Sequence, residues 1–225
     1  MSFSQSSLKG WLAANRVLVI ALFCGILLPM IVFGKIADEV VEREALGFDR
    51  PLQMWAHSYA TANLDQWMLG LSMLGSPPLM FLICGVIVVA LWRNRRHSDA
   101  WFFIAATVGA GLLNQAAKMA FGRPRPELWI VIDPRSDYSF PSGHAMGTMA
   151  LYAAMVVLLW HTKLRVPWII SGGALVFLVG LSRVYLSMHY PSDVLCGWLA
   201  SLSWVVGLDL IRRARRPHVA PSSTR

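Results

Sequence analysis

Two arginines and a lysine stand close together in a polar stretch of this sequence, between Lys118 and Pro126, and their types and spacing suit anion binding. A proline follows both Arg123 and Arg125, so the backbone that carries these arginines should be extended and stiff. A guanidinium held in this way bonds two oxygens of an oxyanion at once, because its donors form a planar fork. For Lys118 alone, a side chain that reaches towards a membrane interface is the simpler interpretation.

A second polar stretch, Pro141-Ser142-Gly143-His144, precedes an apolar run and predicts the start of a helix. Ser142 suits the N-cap position, and Gly143 lets the backbone approach a ligand closely. The free amide groups and the dipole of such a helix start favour an anion. Because the same dipole disfavours a cation in the first turn, we expect a neutral or conditionally protonated His144, which suits acid–base chemistry. For Ser142 alone, an ordinary capped helix is the simpler interpretation.

The third stretch places Arg183, His189 and Asp193 between two long apolar segments. Pro191 suits the first position of a helix, so Asp193 becomes the third, where a carboxylate is favoured and can reach back across the cap. Because a proline disfavours helical angles in the residue before it, Tyr190 should be extended and His189 should lie just outside the helix. Taken alone, the stretch is also consistent with a polar loop whose histidine bonds locally.

The composition indicates a membrane protein. Of the 225 residues, 56% are hydrophobic and 14% are charged, and the mean hydropathy is +0.53. A helix that crosses a bilayer needs about 20 apolar residues, and six such segments are present, at approximately residues 17–36, 67–92, 99–121, 143–162, 166–186 and 192–211. We therefore predict an all-α, polytopic membrane protein with six transmembrane helices. Residues 1–216 would form a single domain, and residues 217–225 a short, polar, disordered cytoplasmic tail.

Two of these segments allow more than one interpretation. The first follows basic residues, as a signal peptide does, but it is long enough to span and no cleavage site follows, so a retained helix is expected. The second is interrupted by Ser76-Pro77-Pro78, which predicts either a kinked span or an interfacial helix followed by a shorter span.

The cysteines Cys24, Cys84 and Cys196 lie inside apolar runs without metal-type spacing, so buried, unpaired roles are expected.

The net charge of +8 comes from lysines and arginines that fall between the apolar runs, which argues against a nucleic-acid partner. If the six helices alternate in direction, more than half of these cations face one side, and that side should be cytoplasmic. Both termini would then be cytoplasmic, in a bacterial cytoplasmic (inner) membrane. The outer loop at residues 37–66 mixes acids with apolar residues and suits an interfacial helix, more simply a structural cap than a lid.

The same topology brings the three polar stretches together at the extracytoplasmic end of the bundle. Ionisable groups gathered at one membrane side predict a functional site. The groups concerned are Lys118, Arg125, His144, Arg183, His189 and Asp193.

These residues form a three-part pattern that resembles the signature of the type-2 phosphatidic acid phosphatase superfamily. The first part is Lys118, six residues, then Arg125-Pro126; the second is Pro141-Ser142-Gly143-His144. The third is Ser182-Arg183, five residues, His189, three residues, then Asp193. The pattern covers roughly residues 118–193, and the six-helix plan extends the resemblance over nearly the whole chain.

The resemblance implies a role for each residue of the pattern. His189 would attack phosphorus and form a phosphohistidine, Asp193 would orient its imidazole, and His144 would protonate the leaving oxygen and then activate water. The phosphate-binding residues would be Lys118, Arg125, Ser142, Gly143 and Arg183. This scheme requires no metal and no cofactor. A metal site at His189 and Asp193 with a further histidine is the alternative.

The predicted function is therefore that of an integral-membrane lipid phosphate phosphatase, whose partners are its lipid substrate and the bilayer. An outward-facing site favours undecaprenyl diphosphate, or phosphatidylglycerol phosphate and phosphatidic acid, as substrate. Two alternatives remain. A non-enzymatic transporter or channel for anions is disfavoured because the polar groups gather at one face rather than through the midplane. A relative of the vanadate-dependent haloperoxidases is disfavoured by the six spans.

Overall fold

The computed structural model describes residues 15–42, 46–126, 128 and 138–215, and in these residues the chain forms helices and no strand. The predicted tail at residues 217–225 lies outside the described residues. We number the helices in chain order: α1 Arg16–Val41, α2 Asp49–His57, α3 Ala62–Leu74, α4 Pro77–Arg93, α5 His97–Phe121, α6 Gly143–Leu159, α7 Arg165–Tyr185 and α8 Pro191–Ala214.

Four of these helices, α1, α5, α7 and α8, are long and apolar enough to cross a membrane. Helices α3 and α4 meet at 45° and together would make a fifth span, whereas α6 is apolar but shorter. The predicted segment 67–92 is therefore two helices, and the break falls where the prolines are. Pro77 occupies the first turn of α4, a position in which its missing N–H is tolerated, but it could not continue α3 without loss of a helical hydrogen bond.

Helix α6 lies at the centre of the bundle and packs against α5, α7 and α8. Its buried face carries several alanines, and small residues of this kind let membrane helices approach closely. At Gly197 of α8 the two helices approach closely: a Cβ atom at this position would lie 2.9 Å from the backbone carbonyl oxygen of Ser142. The start of α6, which carries His144, is therefore held against the start of α8, which carries Asp193.

The segment at residues 37–66, predicted to be an outer loop, contains a helix, α2, as expected, although α1 extends to Val41 and α3 begins at Ala62, within that segment. The buried face of α2 is partly polar, because Asp49 and Gln53 are buried together with Ala56. Apolar side chains such as Trp55 are exposed on its other side. This arrangement is unlike an ordinary amphipathic helix, and it directs the polar face of α2 towards the bundle.

Candidate active site

The site is built on the start of α8, whose geometry agrees with the prediction. Pro191 is the first residue of the helix, and Tyr190 before it is extended, with φ −69° and ψ 151°. The Asp193 side chain reaches back, and its Oδ2 accepts a hydrogen bond of 2.9 Å from the Tyr190 N–H. His189 lies just outside α8, so the predicted helix start is confirmed.

His189 is almost completely buried, with 1% of its surface exposed. Its Nδ1 lies 3.5 Å from Asp193 Oδ2 and 3.4 Å from Ser139 Oγ, while Ser139 donates a short hydrogen bond to the same carboxylate oxygen. The Nδ1 to Oδ2 distance exceeds the usual 2.9–3.0 Å of an N–H···O bond. A carboxylate on this side favours the imidazole tautomer with its proton on Nδ1.

The other ring nitrogen of His189, Nε2, faces a cation. Arg125 Nη1 lies 3.3 Å from Nε2 and also donates to the carbonyl oxygen of Met188. The Arg125 side chain thus lies beside the imidazole of His189. An anion that approaches Nε2 would meet the Arg125 guanidinium. The predicted nucleophile and a predicted phosphate-binding arginine are therefore neighbours.

Arg183 and Lys118 lie at the ends of their helices, and both are buried. Arg183 donates from Nη1 to Ser72 Oγ of α3, and its own carbonyl oxygen accepts a 3.2 Å bond from the His189 N–H. Lys118 Nζ donates a 2.7 Å bond to the carbonyl oxygen of Tyr138, close in sequence to Ser139. Each cation is therefore fixed beside a segment that contacts His189.

The start of α6 joins the site through the backbone. Ser142 is its N-cap: the side-chain oxygen accepts a 3.5 Å bond from the Ala145 N–H, and the Ser142 N–H donates a 3.0 Å bond to the Asp193 carbonyl oxygen. Gly143 follows, where a Cβ atom would lie 3.1 Å from Asn114 Oδ1 of α5. His144 is buried in the first turn, next to Gly75. The structure thus brings all three predicted stretches to one end of the bundle.

Arg123 has a different role from the one that its position beside Arg125 indicates. Its Nη1 donates to Asp193 Oδ1 at 2.6 Å and to Ser192 Oγ at 2.8 Å, and its Nη2 donates to Asp49 Oδ2 at 2.9 Å. The guanidinium also lies over the ring of Tyr190, 4.0 Å from its centroid. Arg123 therefore binds carboxylates of the protein, and its fork is not directed at a substrate anion.

The charges around Arg123 compensate one another. Burial acts to lower the pKa of the Arg123 guanidinium, but the carboxylates of Asp193 and Asp49 act in the opposite direction and the pKa is raised. Arg123 is therefore a permanent cation between two acids. Because the two oxygens of Asp193 have separate partners, Arg123 holds Oδ1 while Oδ2 stays directed at His189.

Four residues of this site were missed in the sequence: Asp49, Gln53, Ser139 and Ser192. Ser139 lies two residues before the predicted Pro141-Ser142-Gly143-His144 stretch, and Ser192 lies within the third stretch, so proximity was a usable signal for these two. Asp49 and Gln53 lie more than 130 residues from their partners Ser192 and His189, and no local pattern connects them. Among the described residues, no group of three or more His, Cys, Asp or Glu side chains could hold a metal ion.

The helices and the site define a helical membrane protein with a histidine–aspartate pair set among buried cations. Residues 99–217 match the PAP2 superfamily. Phosphatidylglycerophosphatase B of Bacillus subtilis is 28% identical over 171 residues, which cover 74% of this chain and 78% of that protein. The undecaprenyl-diphosphatase of Sulfolobus acidocaldarius is 28% identical over 170 residues, which cover 73% and 78%.

A solved structure shows the same fold. The crystal structure of a transmembrane PAP2-type phosphatidylglycerolphosphate phosphatase from Bacillus subtilis superposes with a TM-score of 0.75 at 23% identity, covering 84% of this chain and 98% of that one. The chain belongs to the PAP2 superfamily, since the family match covers more than half of its residues. This membership confirms the predicted family and the predicted class, a phosphatase of membrane lipid phosphates.

Proposed function

We propose that this phosphatase transfers the phosphoryl group of a lipid phosphate to Nε2 of His189 and then to water. The observation that carries the proposal is the orientation of the imidazole. Its Nδ1 faces Asp193 and Ser139, and its Nε2 faces Arg125. With the proton on Nδ1, the lone pair of Nε2 is available as a nucleophile at the position where a cation would hold a phosphate.

In the first step, Nε2 of His189 attacks phosphorus, and the bond from phosphorus to the leaving oxygen breaks. The imidazole becomes positively charged, and the buried carboxylate of Asp193 stabilises that charge, as in a catalytic triad. His144 donates a proton to the leaving oxygen, so the lipid departs as a neutral alcohol or, from a diphosphate, as a protonated monophosphate.

During this transfer, negative charge is spread over the three equatorial oxygens of the phosphoryl group. Lys118, Arg125 and Arg183 supply positive charge around them, and the amide groups at the start of α6, near Ser142 and Gly143, supply hydrogen-bond donors. These donors are held by the protein before substrate binds, so they need little reorganisation as charge develops.

In the second step, water attacks the phosphohistidine. His144, now deprotonated, accepts a proton from the water, the bond between phosphorus and Nε2 breaks, and inorganic phosphate leaves. The imidazole of His189 is then neutral again, with its proton on Nδ1. Neither step of this mechanism requires a metal ion.

The substrate that we propose is a lipid diphosphate or monophosphate of a bacterial membrane: undecaprenyl diphosphate, or phosphatidylglycerol phosphate and phosphatidic acid. The two relatives described above support this range, because one is an undecaprenyl-diphosphatase and the other a phosphatidylglycerophosphatase. The proposed mechanism uses only the phosphoryl group that all these lipids share, so specificity must come from the groups attached to it.

Phosphate release from a panel of lipid phosphates tests this function. The purified protein in detergent should release inorganic phosphate from at least one of the three lipids, and the ratio of kcat/KM values between diphosphate and monophosphates gives the preference. The assay contains EDTA, because the proposed mechanism needs no metal ion. Activity that is lost in EDTA and restored by one divalent ion would contradict the mechanism, and no release from any of the three lipids would contradict the substrate range.

We also propose a topology of six spans within a single domain of residues 1–216. Helices α1, α5, α7 and α8, the bent pair α3–α4 and the shorter α6 would each cross the bacterial cytoplasmic membrane. The distribution of lysine and arginine supports cytoplasmic termini and an active site that faces outward. In this orientation, the loop between α2 and α3 is outside and the loop between α6 and α7 is inside.

Cysteine labelling in intact cells tests this orientation. In a variant without Cys24, Cys84 and Cys196, Ala60→Cys should react with a membrane-impermeant maleimide, and Lys163→Cys should react only after the cells are permeabilised. Both positions are exposed, so access to the reagent depends on the side of the membrane. The reverse labelling pattern would overturn the proposed orientation.

A further inference from the structure

We propose that α2 is a fixed positioning element for the nucleophile, acting through Asp49 and Gln53. The segment from His189 to Asp193, here named the nucleophile turn, carries both the proposed nucleophile and the acid that orients it. Helix α2 contacts this turn near both of its ends. The inference deepens the proposed function and rests on the assignment of His189 as the nucleophile.

Asp49 holds the end of the turn at Ser192. Its Oδ1 accepts a 2.9 Å hydrogen bond from the Ser192 N–H, and its Oδ2 accepts a 2.6 Å bond from Ser192 Oγ and a 2.9 Å bond from Arg123 Nη2. Asp49 is 3% exposed, so its carboxylate is shielded from water and these hydrogen-bond donors must stabilise its charge. A buried carboxylate with three donors fixes the relative positions of α2, Arg123 and the turn.

Gln53 holds the other end. It lies four residues after Asp49, one helical turn along the same face of α2, and its Nε2 donates a 3.3 Å hydrogen bond to the His189 carbonyl oxygen. The His189 N–H is bonded to the Arg183 carbonyl oxygen. The backbone of His189 is therefore held on one side by the end of α7 and on the other side by α2.

Asp49 also acts on the acid of the pair. Arg123 bridges Asp49 Oδ2 and Asp193 Oδ1, so the two carboxylates share one guanidinium. The bridge keeps Asp193 Oδ1 occupied and leaves Oδ2 for the His189 side of the turn. Removal of the Asp49 carboxylate would free one nitrogen of Arg123 and let the guanidinium rotate, and Asp193 would follow it.

These contacts predict an effect on the chemical step more than on substrate binding. Neither Asp49 nor Gln53 belongs to the proposed phosphate-binding set, but both define where Nε2 of His189 lies. A misplacement of about 1 Å in a reacting group costs on the order of 100-fold in rate. Helix α2 is thus a structural cap with a positioning role, and not a lid that must open for each turnover.

The test compares Asp49→Asn and Gln53→Met with the native protein, purified as monodisperse protein in detergent. Asp49→Asn should lower kcat by about 10–100-fold and change KM by less than about threefold, and Gln53→Met should show a smaller loss of the same kind. Formation of the phosphoenzyme, followed by rapid alkaline quench at saturating substrate, should slow by the same factor as kcat. A purely structural role would lower the yield of folded protein without slowing phosphorylation of the folded fraction.

The matched control is Asp65→Asn. Asp65 is also an acid on the outer side of the bundle, on α3, but it accepts a 2.6 Å bond from the Tyr185 hydroxyl instead of a bond from the nucleophile turn. The kcat of the Asp65→Asn variant should stay within about twofold of the native value. In the double variant of Asp49 and Gln53, the loss should be smaller than the product of the two single losses, because both residues hold one turn.

Several outcomes would overturn the inference. A native kcat in Asp49→Asn would do so, and so would a rise in KM at constant kcat, which would identify a substrate-binding residue. Loss of monodisperse protein in both single variants would mean that α2 supports folding and does not position His189. Failure of the proposed function is a separate result: it would appear as native turnover in His189→Ala, whatever the α2 variants do.

Discussion

His189→Ala is expected to abolish phosphate release while the protein remains folded in detergent. In the proposed mechanism the imidazole of His189 forms the covalent intermediate, so its removal leaves the phosphate-binding lysine and arginines without a nucleophile beside them. The loss should be roughly 10⁴- to 10⁶-fold, as for other enzymes that lose the nucleophile of a covalent mechanism. Initial rates on the preferred lipid of the panel, per monodisperse protein, measure it.

Trapping of the intermediate separates a nucleophile from a residue that only binds phosphate. The native protein, quenched with alkali during turnover of a substrate labelled at its phosphoryl group, should carry label that survives base and is released by acid, as expected of a phosphohistidine. His189→Ala should carry none. His161→Ala serves as the control, because His161 is exposed in the loop between α6 and α7 and should retain native turnover. Label on the His189→Ala protein would place the nucleophile elsewhere.

His144→Ala provides a contrast within the same experiment. With an aryl phosphate, whose leaving group needs little protonation, phosphorylation of His189 should continue. Hydrolysis of the phosphohistidine still needs a base for water, so the labelled intermediate should accumulate. The two histidines are thus distinguished by opposite effects on the amount of intermediate, an outcome that neither total loss of activity nor misfolding would produce.

The sequence was sufficient for the local parts of the fold and of the site. The start of α8 followed from Pro191 and Asp193 alone, because the fixed φ of proline and the reach of a carboxylate across a cap act within four residues. The cap at Ser142 followed in the same way. The break between α3 and α4 was located but not resolved, since Pro77 and Pro78 are compatible with either a kink or a new helix.

Long-range partners could not be predicted. Arg123 and Arg125 have the same local context, each before a proline, yet one binds two carboxylates of the protein and the other lies beside Nε2 of His189. The difference depends on which acids the fold brings near, and Asp49 is 74 residues from Arg123 in the chain. No periodicity or cap encodes a contact over that distance, so the polar face of α2 looked like part of an interfacial helix.

Arg123→Leu is expected to destabilise the protein and to inactivate it. The side chain is buried and bridges Asp49 and Asp193, so an apolar replacement leaves two buried carboxylates without their shared cation. Removal of one partner from a buried ion pair typically costs about 3–5 kcal/mol, because the remaining charge is uncompensated. The midpoint of thermal unfolding in detergent, followed by tryptophan fluorescence, should fall by several degrees, and kcat per folded protein should fall with it.

Two further variants separate the charge of Arg123 from its geometry. Arg123→Lys restores one positive charge, but a single ammonium group cannot reproduce the planar fork that joins Asp193 Oδ1 to Asp49 Oδ2, so stability should recover more than kcat. Arg50→Leu removes an exposed cation next to Asp49 and should leave both quantities near native. Equal recovery of stability and kcat in Arg123→Lys would mean that charge alone is needed at this position. Unchanged stability in Arg123→Leu would mean that the two acids are not held as a charged pair, and that Asp193 does not depend on Arg123 to face His189.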